Sequence, residues 1–250
     1  MTLLPASVAL WEAGALVALS VFTSLITAAL GIGGGVLMLA AMAQVVPVAA
    51  LIPLHGVVQL GSNVSRMVLQ IRSASWTVLA PFIAGSAVGA VAGGALVRDV
   101  PDGILLLAIG AFVIVSTFVK VPPLGGGQWA VMTGGGFIGT LATMFVGATG
   151  PFTVALFRPA RLAHKALVAS LGVAMAMQHV LKTIAFGLLG FAFSPWLPLL
   201  VLMIIAGFLG TVIGTRLLNT LPEAWLRQAL NIVLTLLGLQ LMARGALILL

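Results

Sequence analysis

Long apolar stretches, interrupted by glycine, proline and isolated charged residues, run along almost the whole chain. The stretches 131–146 and 197–213 contain no charged residue, and a helix that crosses a bilayer core needs about 20 mainly apolar residues. The stretches lack the strict alternation of barrel strands, and backbone groups in lipid must be hydrogen-bonded within the protein. The pattern therefore predicts an all-α polytopic membrane protein.

Breaks in this pattern divide each half of the chain into five segments. Those of the first half lie at about 8–30, 33–46, 49–72, 75–97 and 102–121. Those of the second lie at about 129–147, 150–157, 163–189, 196–218 and 223–247. The second segment of each half is short, and 150–157 cannot cross a core of about 30 Å at about 1.5 Å per residue. We predict about 8–10 transmembrane segments, two of them broken or re-entrant half-helices that follow glycine-rich motifs.

The chain repeats itself, because residues of one type recur at a constant offset. Adding 116 converts Gly31, Gly34 and Gly56 into Gly147, Gly150 and Gly172, and brings Asn63 and Arg66 onto His179 and Lys182. Further along the chain the offset is 121, which converts Gly89, Gly93 and Pro101 into Gly210, Gly214 and Pro222. We expect residues 1–250 to form a single transporter domain, with one ancestral unit used twice, at about 8–121 and about 129–247.

Composition and charge support a lipid environment. Hydrophobic residues make up 62% of the chain and charged residues 6%, compared with roughly 45–50% and 25% in soluble domains. The net charge of +7 is dispersed among spans and connections, which is typical of a topology signal and not of nucleic-acid binding. The absence of cysteine excludes disulfides and thiolate chemistry.

The distribution of basic residues favours inverted repeats. If each short segment returns the chain across the membrane, the basic connections near Arg72, Lys120, 158–165 and 216–227 share one side, and Arg98 and Arg244 share the other. The more basic side is then cytoplasmic, and the halves have opposite orientations. If the short segments do not cross, the repeats are parallel and the positive charge is split more evenly.

Two glycine motifs at equivalent positions are the first candidates for a binding site. Gly33, Gly34 and Gly35 interrupt an apolar run of nearly forty residues, and Thr149 and Gly150 occupy the corresponding break. A break at this depth exposes backbone N–H groups at the start of the next half-helix, where the helix dipole attracts anions. Paired interruptions of this kind indicate a transporter's binding site, although such glycines also permit close helix packing.

Polar residues follow one face of an otherwise apolar helix in the first half. His55, Gln59, Asn63 and Arg66 fall within about 80° of one another at 100° per residue. Such a face cannot point at lipid, and the guanidinium fork of Arg66 matches an oxyanion. Arg66 could instead extend its charge to the interface.

The second half supplies His179 and Lys182, three residues apart on neighbouring positions of one helix. The four acidic residues, Glu12, Asp99, Asp102 and Glu223, all lie near predicted segment ends. We therefore expect the substrate itself to balance a buried cation, which favours an anion. His179 or His55 could carry a proton, because histidine titrates near neutrality.

The motif at 28–35 (AALGIGGG), followed by Pro47 and by 55–63 (HGVVQLGSN), resembles the TauE/SafE family of sulfite and organosulfonate exporters. The resemblance covers essentially the whole chain. It implies a multi-pass permease of the bacterial plasma membrane that moves small sulfur-containing or organic anions, often outward. The second motif, GATGP at 147–151, departs from the family's Gly-x-Gly-Gly pattern, so the resemblance does not imply equal anion binding by both halves.

The function that we predict is a secondary transporter, and the expected partners follow from that prediction. We expect export of sulfite, sulfoacetate or other organosulfonates by alternating access, without cofactor or metal; an anion channel, or a permease for another carboxylate or oxyanion, is the alternative. The expected partners are the small anion and the lipid bilayer, with a homodimer left open and nucleic acid excluded. An enzyme fits poorly, since no paired carboxylates, zinc-ligand spacing or nucleophile with its base is present.

Overall fold

The computed structural model describes residues 8–30, 33–119, 127–217 and 223–250, and within helices it leaves out the side chains at 29, 30, 65, 66, 68–70, 164, 215, 217 and 223. The first half contains α1 (Leu10–Leu30), α2 (Gly34–Val45), α3 (Val48–Gln70), α4 (Trp76–Val97) and α5 (Asp102–Phe118). The second contains α6 (Gln128–Val146), α7 (Gly150–Phe157), α8 (His164–Leu188), α9 (Leu197–Leu217) and α10 (Glu223–Leu249). The prediction of an all-α membrane protein is confirmed, and the helices match the predicted segments closely.

Six of these helices are long and apolar enough to cross a membrane, as judged by length and composition in the described part of the chain. Three further helices, α2, α3 and α5, contain shorter apolar stretches of 10–17 residues. Large apolar side chains lie on the outer surface, for example Val91 on α4 and Leu236 on α10, which are 76% and 63% exposed. In a bilayer these side chains face lipid tails, so their exposure carries no cost.

Glycine in an unusual backbone conformation marks the break in each half. Gly33 precedes α2 with a φ of 101°, and Gly147 follows α6 with a φ of 75°, a region that side chains with a Cβ rarely adopt. Each break is followed by a short helix, of 12 residues in α2 and 8 residues in α7. Pro151 occupies the first turn of α7, where its missing N–H costs no hydrogen bond.

The two halves exchange helices. α1 packs along α9, α4 packs along α6, and α5 packs against α10. Gly210 of α9 lies against Val21 of α1, and Gly214 lies against Leu25 and Ala28, so α1 and α9 are parallel. Gly85 and Gly93 of α4 likewise lie against α6 residues of rising number, so α4 and α6 are also parallel. Small residues let these backbones approach closely, as is common between membrane helices.

The parallel pairs establish the orientation of the halves. The ends of α5 and α7 and the start of α10 line one cavity, whereas the starts of α3 and α5 and the ends of α4 and α8 line another. We call the first end of the molecule the basic face, because Arg158 and Arg227 lie there, and the second the opposite face. α4 and α8 end at the opposite face, so α4 begins at the basic face and α9, which follows α8, begins at the opposite face. Because α1 is parallel to α9 and α6 is parallel to α4, α1 begins at the opposite face and α6 begins at the basic face. The halves therefore run in opposite directions, as the inverted model predicts.

The buried core follows this exchange and not the order of the sequence. One cluster of buried side chains joins α1, α2, α3, α5, α9 and α10, and a second joins α4, α6, α7 and α8. The broken helix pair of each half thus packs with the third helix of its own half and the fourth helix of the other. α3 and α8 pack against one another at the junction, and this junction positions the polar residues described next.

Candidate functional site

A cavity of about 50 Å³ lies where the two breaks meet α3 and α8. It is lined by Thr27, Gly33, Gly35, Val36, His55, Gln59, Asn63, Ala148, Thr149, Gly150, Pro151, Met175, Gln178 and His179. A single water needs roughly 10–15 Å³ of such space, so the cavity has room for a small polyatomic ion or a few waters. Both halves contribute to its wall, as the duplicated motifs predict.

The amino ends of both half-helices open into this cavity. Gly33 and Gly35 line it at the start of α2, and Thr149, Gly150 and Pro151 line it at the start of α7. The first N–H groups of a helix have no partner within the helix, and the helix dipole places partial positive charge there. Two such ends directed at one small cavity form a site that favours negative charge.

Polar side chains of α3 form one wall. His55 is fully buried and donates from Nε2 to the carbonyl oxygen of Gly35 at 2.9 Å, and the amide nitrogen of Gln59 lies 3.2 Å from the same ring nitrogen. Asn63 donates to the carbonyl oxygen of Gln59 at 2.8 Å. These bonds tie the polar face of α3 to the first break and hold amide groups at the cavity.

α8 supplies the facing wall. The ring of His179 meets that of His55 edge to face, with centroids 6.3 Å apart. Gln178, which the sequence analysis did not single out, donates to Thr140 of α6 at 3.1 Å and accepts from Thr153 of α7 at 3.4 Å. It therefore links both helices that flank the second break. The signal that could have identified Gln178 is its position in an apolar helix, directly before His179.

Lys182 lies behind this wall and does not line the cavity. Its side chain is 0% exposed, and Nζ donates to the carbonyl oxygen of Gly147 at 2.8 Å. Gly56 makes room for it, since a Cβ at Gly56 would lie 2.7 Å from Cε of Lys182. The same carbonyl also accepts from Thr143 at 3.0 Å.

The residues selected from the sequence thus fall into three groups. Those that line the cavity are Gly33, Gly35, His55, Gln59, Asn63, Thr149, Gly150 and His179. Gly34 and Lys182 are buried next to it, with Gly34 packed against Thr23 and Thr27 of α1. Arg66 belongs to α3, but its side chain lies outside the described residues, as does Gly31 of the first motif.

A larger cavity of about 420 Å³ opens on the basic face and shares Gly33, Val36 and Pro151 with the central one. Arg158 and Arg227, from opposite halves, line this vestibule together with Asn231. No lining residue is shared between the central cavity and the pocket on the opposite face. Among the described residues, the central cavity thus adjoins the vestibule on the basic face and is separate from the pocket on the opposite face.

Apolar packing closes the central cavity toward the opposite face. A Cβ at Gly147 would meet Leu39 at 2.7 Å and Ile52 at 3.2 Å, and both side chains are buried. Ile52 also lines the pocket on the opposite face. The packing around Gly147, next to Ala148 of the central cavity, therefore lies between the two spaces.

Comparison with known proteins supplies one finding. A family model described as "Sulfite exporter TauE/SafE" matches residues 16–241. No curated protein and no solved structure matches the chain. The match covers both breaks and every residue that lines the cavity.

Proposed function

This chain belongs to the TauE/SafE family of sulfite exporters, and we propose that it is a secondary transporter that exports sulfite, sulfoacetate or a related small organosulfonate. The family consists of membrane transporters, and its description indicates a sulfur-containing anion. The observation that carries the proposal is the meeting of two half-helix amino ends at one buried cavity. We place the protein in the bacterial plasma membrane, with the basic face in the cytoplasm.

The chemistry of the cavity wall fits an oxyanion. The two helix amino ends offer backbone N–H groups, and Gln59, Asn63 and Gln178 bring amide groups to the wall. No aspartate or glutamate lines the cavity among the described residues, so nothing there repels an anion. Substrate-binding roles for Gly33, Gly34, Gly35, Gln59, Asn63, Arg66, Thr149, Gly150 and His179 remain part of this proposal.

The arrangement of the two cavities supports alternating access as the mechanism. An anion enters the vestibule from the basic face, where Arg158 and Arg227 raise its local concentration, and then reaches the central cavity. Release on the opposite face requires the layer around Gly147 to open. The exchanged bundles supply a natural division for that movement, because α3 and α8 pack at their junction.

The two histidines of the cavity, His55 and His179, are the candidates for proton coupling. His55 and His179 line the anion cavity from opposite halves, and histidine is the side chain that changes charge near neutral pH. We propose that one of them carries a proton with the anion, and we assign no catalytic reaction to the protein.

Counterflow of radiolabelled sulfite tests the proposal. Purified protein is reconstituted in liposomes loaded with unlabelled sulfite, taurine or acetate, and uptake of labelled sulfite is followed. Saturable uptake that depends on internal sulfite or sulfonate supports a carrier. Flux that does not saturate and needs no internal anion would indicate the alternative, an anion channel, and absence of any sulfite flux would refute the substrate assignment.

A matched pair of variants connects the activity to the cavity. Gln59→Leu removes an amide from the cavity wall, whereas Gln240→Leu removes an exposed amide of α10 that bonds to Gln44. We expect sulfite binding to weaken in the first variant only. Equal affinity for sulfite in the two variants would show that Gln59 of α3 does not contribute to the binding site.

A further inference from the structure

The hydrogen bond between Lys182 and Gly147 lies in the layer that closes the central cavity. Lys182 is three residues after His179 in α8, which runs toward the opposite face, so it lies about 4.5 Å beyond that histidine along the helix. Its partner carbonyl belongs to Gly147, the residue that packs against Leu39 and Ile52. The bond therefore joins α8 to the closed side of the cavity.

The chemical environment of Lys182 differs from that of an anion ligand. The amino group is completely buried, donates to a backbone carbonyl at 2.8 Å and does not reach the cavity. Gly147 ends α6, and the carbonyl end of a helix carries partial negative charge that a nearby amine or ammonium group stabilises. The partner of Lys182 is thus supplied by the protein itself.

The carbonyl of Gly147 receives two hydrogen bonds, one of them from another helix. Gly147 has a φ of 75°, which departs from the helix, and its carbonyl oxygen turns to accept from both Thr143 and Lys182. Thr143 belongs to α6 itself, whereas Lys182 ties the same carbonyl to a different helix, α8. Gly56 is the complementary feature, because only a residue without a Cβ leaves space for the lysine chain at α3.

We infer that Lys182 is a positioning residue that holds the Gly147 break to α8 and keeps the cavity closed toward the opposite face, without contacting the transported anion. The inference rests on the proposed transport function for its consequence, since a closed layer matters only to a carrier. It assigns to Lys182 a role different from the substrate contact that the sequence suggested. Loss of the bond should favour the state that is open to the opposite face.

Cysteine labelling measures this directly, because the chain contains no cysteine and a single substitution introduces one thiol. Met175→Cys places that thiol in the cavity wall. A membrane-impermeant maleimide is added to vesicles of each orientation, and labelling rates from the basic and opposite faces are compared without any substrate. In the otherwise unaltered protein we expect labelling mainly from the basic face.

Combining Met175→Cys with Lys182→Met should raise the rate of labelling from the opposite face by about tenfold, the effect of losing one strong hydrogen bond. Lys165→Met is the matched control, since Lys165 is exposed at the start of the same helix. Labelling rates that stay unchanged in a folded Lys182→Met variant would overturn the inference.

Gly56→Ala provides a second route if the lysine variant does not fold. This variant keeps the amino group of Lys182, but the new Cβ would lie 2.7 Å from Cε of the lysine and displace it. It should therefore also raise the rate of labelling from the opposite face, by a smaller factor than Lys182→Met. Gly187→Ala in α8 is its control, because the nearest atom to a Cβ there is 3.9 Å away. Equal labelling in the two glycine variants would count against the inference.

Sulfite binding separates a positioning role from direct contact. We expect Lys182→Met to change the Kd for sulfite less than about threefold while the maximal counterflow rate falls by about tenfold or more. A large loss of affinity with unchanged labelling would make Lys182 a substrate contact and overturn the inference. If the unaltered protein neither binds nor moves sulfite but the labelling still changes, the proposed function fails and the positioning role stands.

Discussion

The imidazole rings of His55 and His179 meet edge to face at the junction of the two halves, with centroids 6.3 Å apart. Each ring belongs to the third helix of its half, and both line the central cavity. Their contact places two titratable groups next to the anion that we propose the protein carries.

His179→Gln should abolish the dependence of sulfite counterflow on an imposed pH gradient, because glutamine keeps polar atoms but does not titrate near neutrality. Flux without a gradient should persist. The measurement is labelled sulfite uptake with and without a gradient of about one pH unit. His164→Gln, at the start of α8, is the control, and an unchanged response in His179→Gln would remove that residue from coupling.

Gly35→Ala should weaken sulfite binding by about tenfold, equivalent to about 1.4 kcal/mol. A Cβ at this position would lie 2.9 Å from the amide nitrogen of Gln59, so the amide must move at the cavity wall. Calorimetric titration of sulfite into purified protein measures the change. Gly14→Ala in α1, where nothing lies within 4 Å, should bind sulfite normally; similar losses in both variants would indicate a general effect of alanine.

Gln178→Ala should destabilise the protein by about 1–3 kcal/mol, the usual cost of leaving buried partners unsatisfied. The substitution removes the bridge between Thr140 and Thr153 and so loosens α6 from α7. Denaturant unfolding in detergent gives the free energy, and Gln240→Ala on the exposed face of α10 should lie within about 0.5 kcal/mol of the unaltered protein. Equal stabilities would show that this network contributes little.

Arg158→Ala and Arg227→Ala should each lower the rate of sulfite entry from the basic face by about threefold at low salt. Both residues line the vestibule, where positive charge attracts anions, and the effect should nearly vanish near 1 M salt, where screening extends only about 3 Å. Initial rates at several salt concentrations measure it. Arg98→Ala on the opposite face should not change this rate, and a salt-independent loss would point to a structural effect instead.

The sequence predicted the helices well because lipid imposes a simple requirement on each of them. An apolar run between breaks has to form a helix, so α4 begins at Trp76 and ends at Val97, close to the predicted 75–97. The duplication also pointed to the two breaks as the place of a binding site, because paired interruptions at equivalent positions are typical of transporter sites. Gly33 and Gly150 indeed line one cavity.

The partner of Lys182 could not be predicted in the same way. The sequence showed a buried cation without a carboxylate, and an anionic substrate was the natural partner. The backbone turn at Gly147 aims a carbonyl oxygen at Nζ instead, and the direction of a carbonyl depends on local φ and ψ, which no residue pattern specifies. Gln178 was missed because its equivalent position, 116 residues earlier, is Ser62, so the repeat gave no signal there.

The exchange of α1 and α6 between the halves also has a consequence for biosynthesis. α1 is the first described helix to leave the ribosome, yet the surface that covers its small-residue face belongs to α9, almost two hundred residues later. During insertion α1 must therefore remain in the bilayer with an incomplete interface while eight further helices emerge. A ribosome that stalls before Leu197 would therefore release a chain that contains α4, α6, α7 and α8 but lacks the helices α9 and α10 that complete the cluster around α1.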